Sequence, residues 1–113
     1  MEDSRVFELR TYYTPPGRLA DLQTRFRDHT RALFERHGME NVGYFVPTDG
    51  DAAQNTLVYL LAHPNREVAT ASWDAFKADP EWIAVKARSE ENGPIVDHID
   101  SVFLSPTDFS ALR

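Results

Sequence analysis

Val6-Phe-Glu-Leu-Arg-Thr-Tyr-Tyr13 is the stretch from which the rest of the chain can be laid out. Phe7, Leu9, Thr11 and Tyr13 alternate with Glu8, Arg10 and Tyr12. Successive side chains of an extended segment point to opposite sides, so this is a strand with one greasy and one charged face. A carboxylate, a guanidinium and a phenol in one row cost free energy to bury unless they bond one another or a ligand. That row is expected to meet something polar.

Downstream, Pro15-Pro16-Gly17 breaks the ladder and turns the chain into a helix. Leu19, Leu22, Phe26, Thr30, Leu33, Phe34 and His37 form its inward stripe, and Gly38 is its left-handed C-cap. Val42, Tyr44 and Val46 alternate with Gly43, Phe45 and Pro47 in a second strand that ends at the turn cluster Thr48-Asp-Gly-Asp51. Thr56-Leu-Val-Tyr-Leu-Leu-Ala62 is apolar on both faces, the mark of a central strand covered on both sides. His63-Pro64-Asn65 stops it, and a helix follows with Val68, Ala69, Ser72, Trp73 and Phe76 on one face. Asp79-Pro80 then breaks the helix in two: Pro cannot continue the ladder, Asp can cap the second piece, and Trp82 and Val85 turn inward. A last strand from Ile95 to Leu104 precedes Ser105-Pro106 and a short tail containing Phe109.

The order strand, helix, strand, strand, helix, strand predicts an α+β, ferredoxin-like βαββαβ domain, a four-stranded antiparallel sheet with helices over one face. Residues 1–113 form one domain with tails at 1–4 and 107–113. The second apolar row of the third strand (Val58, Leu60, Ala62) would then be left in water, so a homodimer joined sheet to sheet is expected.

Net charge is −6, from 12 basic and 18 acidic residues, which disfavours a nucleic-acid partner. Arg25, Arg27, Arg31 and Arg36 interleave with Asp21, Asp28 and Glu35 as on a solvated helix face. The absence of cysteine excludes disulfides, thiolate catalysis and iron–sulfur clusters. No secretory signal is visible at Met1-Glu-Asp-Ser4, and no run approaches the ~18 apolar residues of a membrane span. A cytoplasmic protein with no membrane partner is expected.

Among candidate site residues, His29 lies three residues after Phe26 and four before Leu33, a spacing that projects it from the first helix toward the sheet. There it could act as a general base, or simply hydrogen-bond a strand Tyr. Arg10 could hold a substrate carboxylate, with Tyr12 bonding a carbonyl or phenol, and the competing reading is a cross-strand ion pair in this Glu8–Arg10 row that also registers a dimer. Phe26, Phe34, Trp73 and Trp82 are read as core that could also line a pocket for a flat apolar ligand. His37 should bond the last carbonyls of its own helix. Neither it nor His63 or His98 has metal-ligand spacing, so no metal and no cofactor are expected. No phosphate loop or nucleophile elbow is present.

Glu8-Leu-Arg-Thr-Tyr12, Gly17, Glu35-Arg-His-Gly38 leading into Val42-Gly-Tyr-Phe45, Trp73 with Ala78-Asp-Pro-Glu-Trp82, and the close Phe103-Leu-Ser-Pro-Thr-Asp-Phe-Ser110 together resemble the NIPSNAP family over almost the whole chain. The resemblance implies a ferredoxin-like domain of the dimeric α/β-barrel superfamily. That superfamily includes cofactor-free monooxygenases, haem-degrading and muconolactone-isomerase-like enzymes and plain ligand-binding modules, so fold alone does not give the activity. The reading that joins residues and resemblance is a small dimeric domain binding an apolar or aromatic molecule between sheet and helices, with Arg10, Glu8, Tyr12, Phe26, Trp73 and Trp82 around it. The alternatives are a cofactor-independent monooxygenase or isomerase with His29 as base and Arg10 or Tyr44 polarising the substrate, and a non-catalytic interaction or stress-associated module.

Overall fold

The alternating stretch becomes β1 (Val6–Tyr13), paired antiparallel with β3 (Thr56–His63) on one side and β4 (His98–Leu104) on the other. β2 (Glu40–Phe45) adds to the far side of β3, giving the order β2-β3-β1-β4. The computed structural model describes residues 5–113, so the expectations for Met1–Ser4 fall outside the described residues. The architecture is the ferredoxin-like α+β sheet that the element order implies, open at both edges.

Helices cover one face. α1 (Leu19–Arg25), a π turn (Phe26–Thr30) and α2 (Arg31–Arg36) run on without a break, α3 (Ala52–Asn55) is a single turn, and α4 (Arg66–Ala78) leads directly into α5 (Pro80–Ser89). Gly38, at φ +81°, ends α2 as expected, and the Met39 N–H donates back to the Phe34 carbonyl at 2.9 Å. The Asp79-Pro80 break also holds: Asp79 accepts from the Glu81 N–H at 2.9 Å, with Pro80 at the first helical position. The same carboxylate accepts from His37 Nε2 at 2.8 Å and Arg36 Nη1 at 3.1 Å. The His37 imidazole therefore ties the end of α2 to the start of α5 instead of bonding its own helix.

Two boundaries differ from the sequence reading. The last strand begins at His98, because Ile95 drops into the core, fully buried, and the Asp97 N–H closes onto the Tyr13 carbonyl at 2.6 Å. β2 ends at Phe45 and is bulged between Asn41 and Gly43, which puts Asn41 and Tyr44 on one side of the sheet and Gly43 and Phe45 on the other. A Cβ at Gly43 would come within 2.7 Å of the Phe45 ring, so glycine lets that ring fold back over the strand.

Register decides which face the helices cover. Leu57, Tyr59, Leu61 and His63 of β3 share the helix side with Glu8, Arg10 and Tyr12 of β1. Beneath the helices they meet Leu22, Phe26, Leu33, Phe34 and Phe76, the buried centre of the domain. The open face carries Leu9, Thr11, Val58 and Leu60, flanked by Phe45, Val102 and Leu104, which are 60%, 49% and 42% exposed, whereas Ala62, expected in the same exposed row, is buried with Phe7 opposite it. Among the described residues no helix is long and apolar enough to cross a membrane.

Candidate functional site

The charged row of β1 is buried, and it is satisfied by its neighbours. Glu8 is 2% exposed and accepts four hydrogen bonds: His63 Nε2 at 2.9 Å and Trp73 Nε1 at 2.8 Å on Oε1, Arg10 Nη1 at 3.0 Å and Ser101 Oγ at 2.9 Å on Oε2. Burial pushes its pKa up, but the bonds from His63 and Trp73, the charge of Arg10 and the bond from Ser101 outweigh it and hold the carboxyl at about 2. Since an ionised carboxylate only accepts, His63 carries a proton on Nε2, and its Nδ1 is buried without a partner among the described residues.

Arg10 continues the chain of bonds. Its Nε donates to the Tyr59 hydroxyl at 2.8 Å and its Nη2 to the Tyr12 hydroxyl at 3.3 Å, while the guanidinium lies 4.2 Å over the Trp73 ring. Tyr59 in turn donates to Tyr12 at 3.0 Å. Burial opposes the Arg10 charge, yet the oxygens of Tyr59, Tyr12 and Glu8 carry its pKa above the ordinary arginine value. Burial and the neighbouring Tyr12 likewise push the Tyr59 phenol well up, so it stays protonated. The Glu8–Arg10 pair runs along one strand under the helices, on the side of the sheet away from the open face.

Beside this network, a cleft of about 470 Å³ opens between the first helix and the β2–β3 edge of the sheet. Phe26, Tyr44, Leu57, Phe45 and Val46 give it apolar walls, and Gln23, Arg27 and Arg31 form its polar rim. Tyr44 stacks on Tyr59 with ring centroids 5.0 Å apart, and its hydroxyl donates to Asn41 Oδ1 at 2.5 Å. Burial raises the Tyr44 phenol well above its ordinary pKa. Phe26 packs on Tyr12, Tyr44 and Tyr59, so the cleft floor and the buried network share one aromatic wall.

The residues singled out in the sequence do not all converge. Glu8, Arg10, Tyr12 and Trp73 form the network, and Phe26 and Tyr44 line the cleft next to it. Trp82 lies elsewhere, half-buried against Phe76 and beneath the Arg25 guanidinium. His29 does not face the sheet. In the π turn each backbone bond spans five residues, Thr30 Oγ1 also reaches back five to the Arg25 carbonyl, and the wider turn carries His29 round into a groove against α5. Phe34 is fully buried core, and His98 stacks on Tyr13 at 4.2 Å.

The sequence reading missed His63 and Ser101 as partners of Glu8. Pairing the first strand antiparallel with the third puts Val6 opposite His63, so the imidazole stands beside Glu8 on the helix face, a relation visible only once register is known. It also took Arg25 for a solvated residue, whereas Arg25 is 5% exposed. Among the described residues no group of His, Asp or Glu is arranged to hold a metal ion.

Comparison with known proteins places this geometry. The NIPSNAP family model matches residues 7–111. A NIPSNAP family protein of unknown function from Agrobacterium tumefaciens superposes with a TM-score of 0.85 at 21% identity, covering 100% of this chain and 97% of that one. An uncharacterized NIPSNAP domain protein from Burkholderia xenovorans gives 0.78 at 25% identity, covering 93% and 97%. SnoaB, a cofactor-independent oxygenase from Streptomyces nogalater, gives 0.61 at 13% identity, covering 96% and 98%, a likeness of fold. Comparison with curated proteins gives no match.

Proposed function

The chain belongs to the NIPSNAP family, and on that premise we propose that it is a small-molecule-binding domain whose ligand, apolar or aromatic, occupies the cleft between the first helix and the β2–β3 edge. The observation that carries this reading is the cleft itself. Its volume of about 470 Å³ falls within the usual range for ligand sites, roughly 300–1,000 Å³, and it joins an aromatic floor to a few polar groups. A hydrogen-bonded network beneath it keeps the floor rigid, because Tyr59 and Tyr12 cannot turn without unpairing Arg10.

Binding comes before catalysis in this proposal. The fold likeness to a cofactor-independent oxygenase favours the enzymatic alternative, but proton abstraction needs a base, and the residues lining the cleft include neither an imidazole nor a carboxylate. Tyr44 is there only as a phenol held protonated, and His29 belongs to another groove. The working form is taken to be a homodimer that covers the open face around Leu9, Leu60 and Val102 with a second copy.

The test is titration of 2-naphthoate and 2-naphthol into the isotopically labelled protein, following amide shifts. Saturable shifts at Phe26, Tyr44 and Leu57, abolished when Val46→Trp fills the cleft, are expected. Binding that survives Val46→Trp, or shifts confined to the open face, would overturn the assignment.

A further inference from the structure

A second groove, of about 310 Å³, separates α1 from α5 and the loop after it, and it shares no lining residue with the cleft. Its character is opposite. Arg18, Arg25 and His29 face Arg88, Ser89 and Asn92 across it, and the one carboxylate on its walls, Asp21, is already bonded to Arg18 Nε at 2.8 Å. Arg18 Nη1 is steadied by the Asn92 carbonyl at 3.2 Å. The side chains of Arg88 and His29 have no hydrogen-bond partner among the described residues.

Arg25 is the built part. It is 5% exposed, its guanidinium lies 5.0 Å over the Trp82 ring, and its Nη1 donates to Ser89 Oγ at 3.1 Å and Glu90 Oε2 at 3.0 Å. Glu90 also accepts from Lys86 at 3.2 Å, so it does not cancel the positive character of the groove. These contacts fix the plane of the guanidinium and use one corner of it. The other edge, Nε with Nη2, makes no bond among the described residues, and Nε is shut away from water. Nη2 is therefore the donor of that edge that a ligand oxygen can reach.

We propose that this groove binds the phosphate group of a small molecule, one oxygen on Nη2 of Arg25 and the others met by Arg88 and His29. Arg18, Arg25 and Arg88, with Lys86 alongside, exceed the two carboxylates bonded among them, Asp21 and Glu90, and this excess of positive charge suits an oxyanion. Thr24 and Asn92 add polar walls for whatever carries the phosphate. The π turn belongs to the design of this site, since it is the wider turn that brings His29 to the groove.

Inorganic phosphate and glycerol 3-phosphate, each titrated into the full chain at constant ionic strength held with chloride, test this. Saturable amide shifts at Thr24, Arg25, His29, Ser89 and Asn92 are expected, with Arg88→Gln and Arg25→Lys each weakening the dissociation constant at least tenfold and Arg27→Gln, at the other cleft, leaving it unchanged. Tighter binding of glycerol 3-phosphate assigns the site to a phosphate ester and tighter binding of phosphate to the free anion, and both uphold it. No saturation with either probe, wild-type affinity in Arg88→Gln, or equal weakening by Arg27→Gln overturns it. Arg88 is exposed, so its variant keeps the test decisive even where Arg25→Lys impairs folding.

Discussion

The two faces of β1 are inverted relative to the ordinary rule for a half-covered sheet. Glu8, Arg10 and Tyr12 lie under the helices, while Leu9 and its neighbours Leu60 and Val102 form the open face. The buried face costs desolvation of two charges and offsets it with a closed set of bonds, Glu8 receiving four and Arg10 giving three. The open face has an apolar centre, Leu9, Val58, Leu60 and Val102, with Thr11 and Asp100 beside it, and no comparable network of charged groups among the described residues. One face is thus specified by chemistry inside the chain, and the other by what covers it.

The harshest way to break the buried side is Glu8→Gln. It leaves the Arg10 charge without its carboxylate and gives His63, Trp73 and Ser101 a weaker acceptor, so a loss of about 3–5 kcal/mol is expected in urea unfolding. A loss under 1 kcal/mol would mean that the network is solvated and the inversion superficial.

Acid reads the same group without mutation. Glu8 drops from 4.5 to about 2 on folding, which at ~1.4 kcal/mol per unit contributes about 3 kcal/mol. Because the folded value is the lower one, this stability is fully present above pH 4.5 and drains away as the pH falls toward 2. Urea midpoints measured through that window should fall steeply in the native protein, and the part of the fall due to Glu8 should vanish in Glu8→Gln.

The contrast between the faces also explains what could be read from the sequence. Period-two alternation reveals that β1 has two unlike rows but not which row the helices cover, since that depends on pairing with a strand some fifty residues away. The Asp79-Pro80 break was legible because its cause is local: a missing N–H and a capping carboxylate. The π turn has no local marker of that kind. It keeps Phe26 and Thr30 in the core while His29 lies toward α5, and so helical spacing misplaced His29, while the interleaving of Arg25 with acidic residues concealed that it is buried.

On the open face, Leu60→Asp is expected to cost about 2–3 kcal/mol of association free energy, by placing an unpaired carboxylate where a second sheet would lie. Light scattering at micromolar concentration should show about twice the monomer mass for the native chain and a shift toward one for the variant. If the native chain is a monomer, the open face is covered by something other than a second copy.

The smallest effects separate the centre of the inverted face from its edge. Tyr59 and Tyr44 stack on each other in neighbouring strands, and each loses only a hydroxyl when changed to Phe. The Tyr59 oxygen accepts from a buried guanidinium, and a hydrogen bond to a charged group is worth about 1.5–3 kcal/mol, so Tyr59→Phe should cost about 2 kcal/mol. The Tyr44 hydroxyl donates to Asn41 at the cleft edge, where water can replace it. Tyr44→Phe should therefore cost under about 1 kcal/mol and leave the acid profile of Glu8 untouched. Equal costs at the two positions would show that Arg10 gains nothing from Tyr59 and that its charge is held by Glu8 and the Trp73 ring alone. A large cost at Tyr44 would move the boundary of the rigid network outward to β2, and the cleft wall would then be part of the core that Glu8 organises.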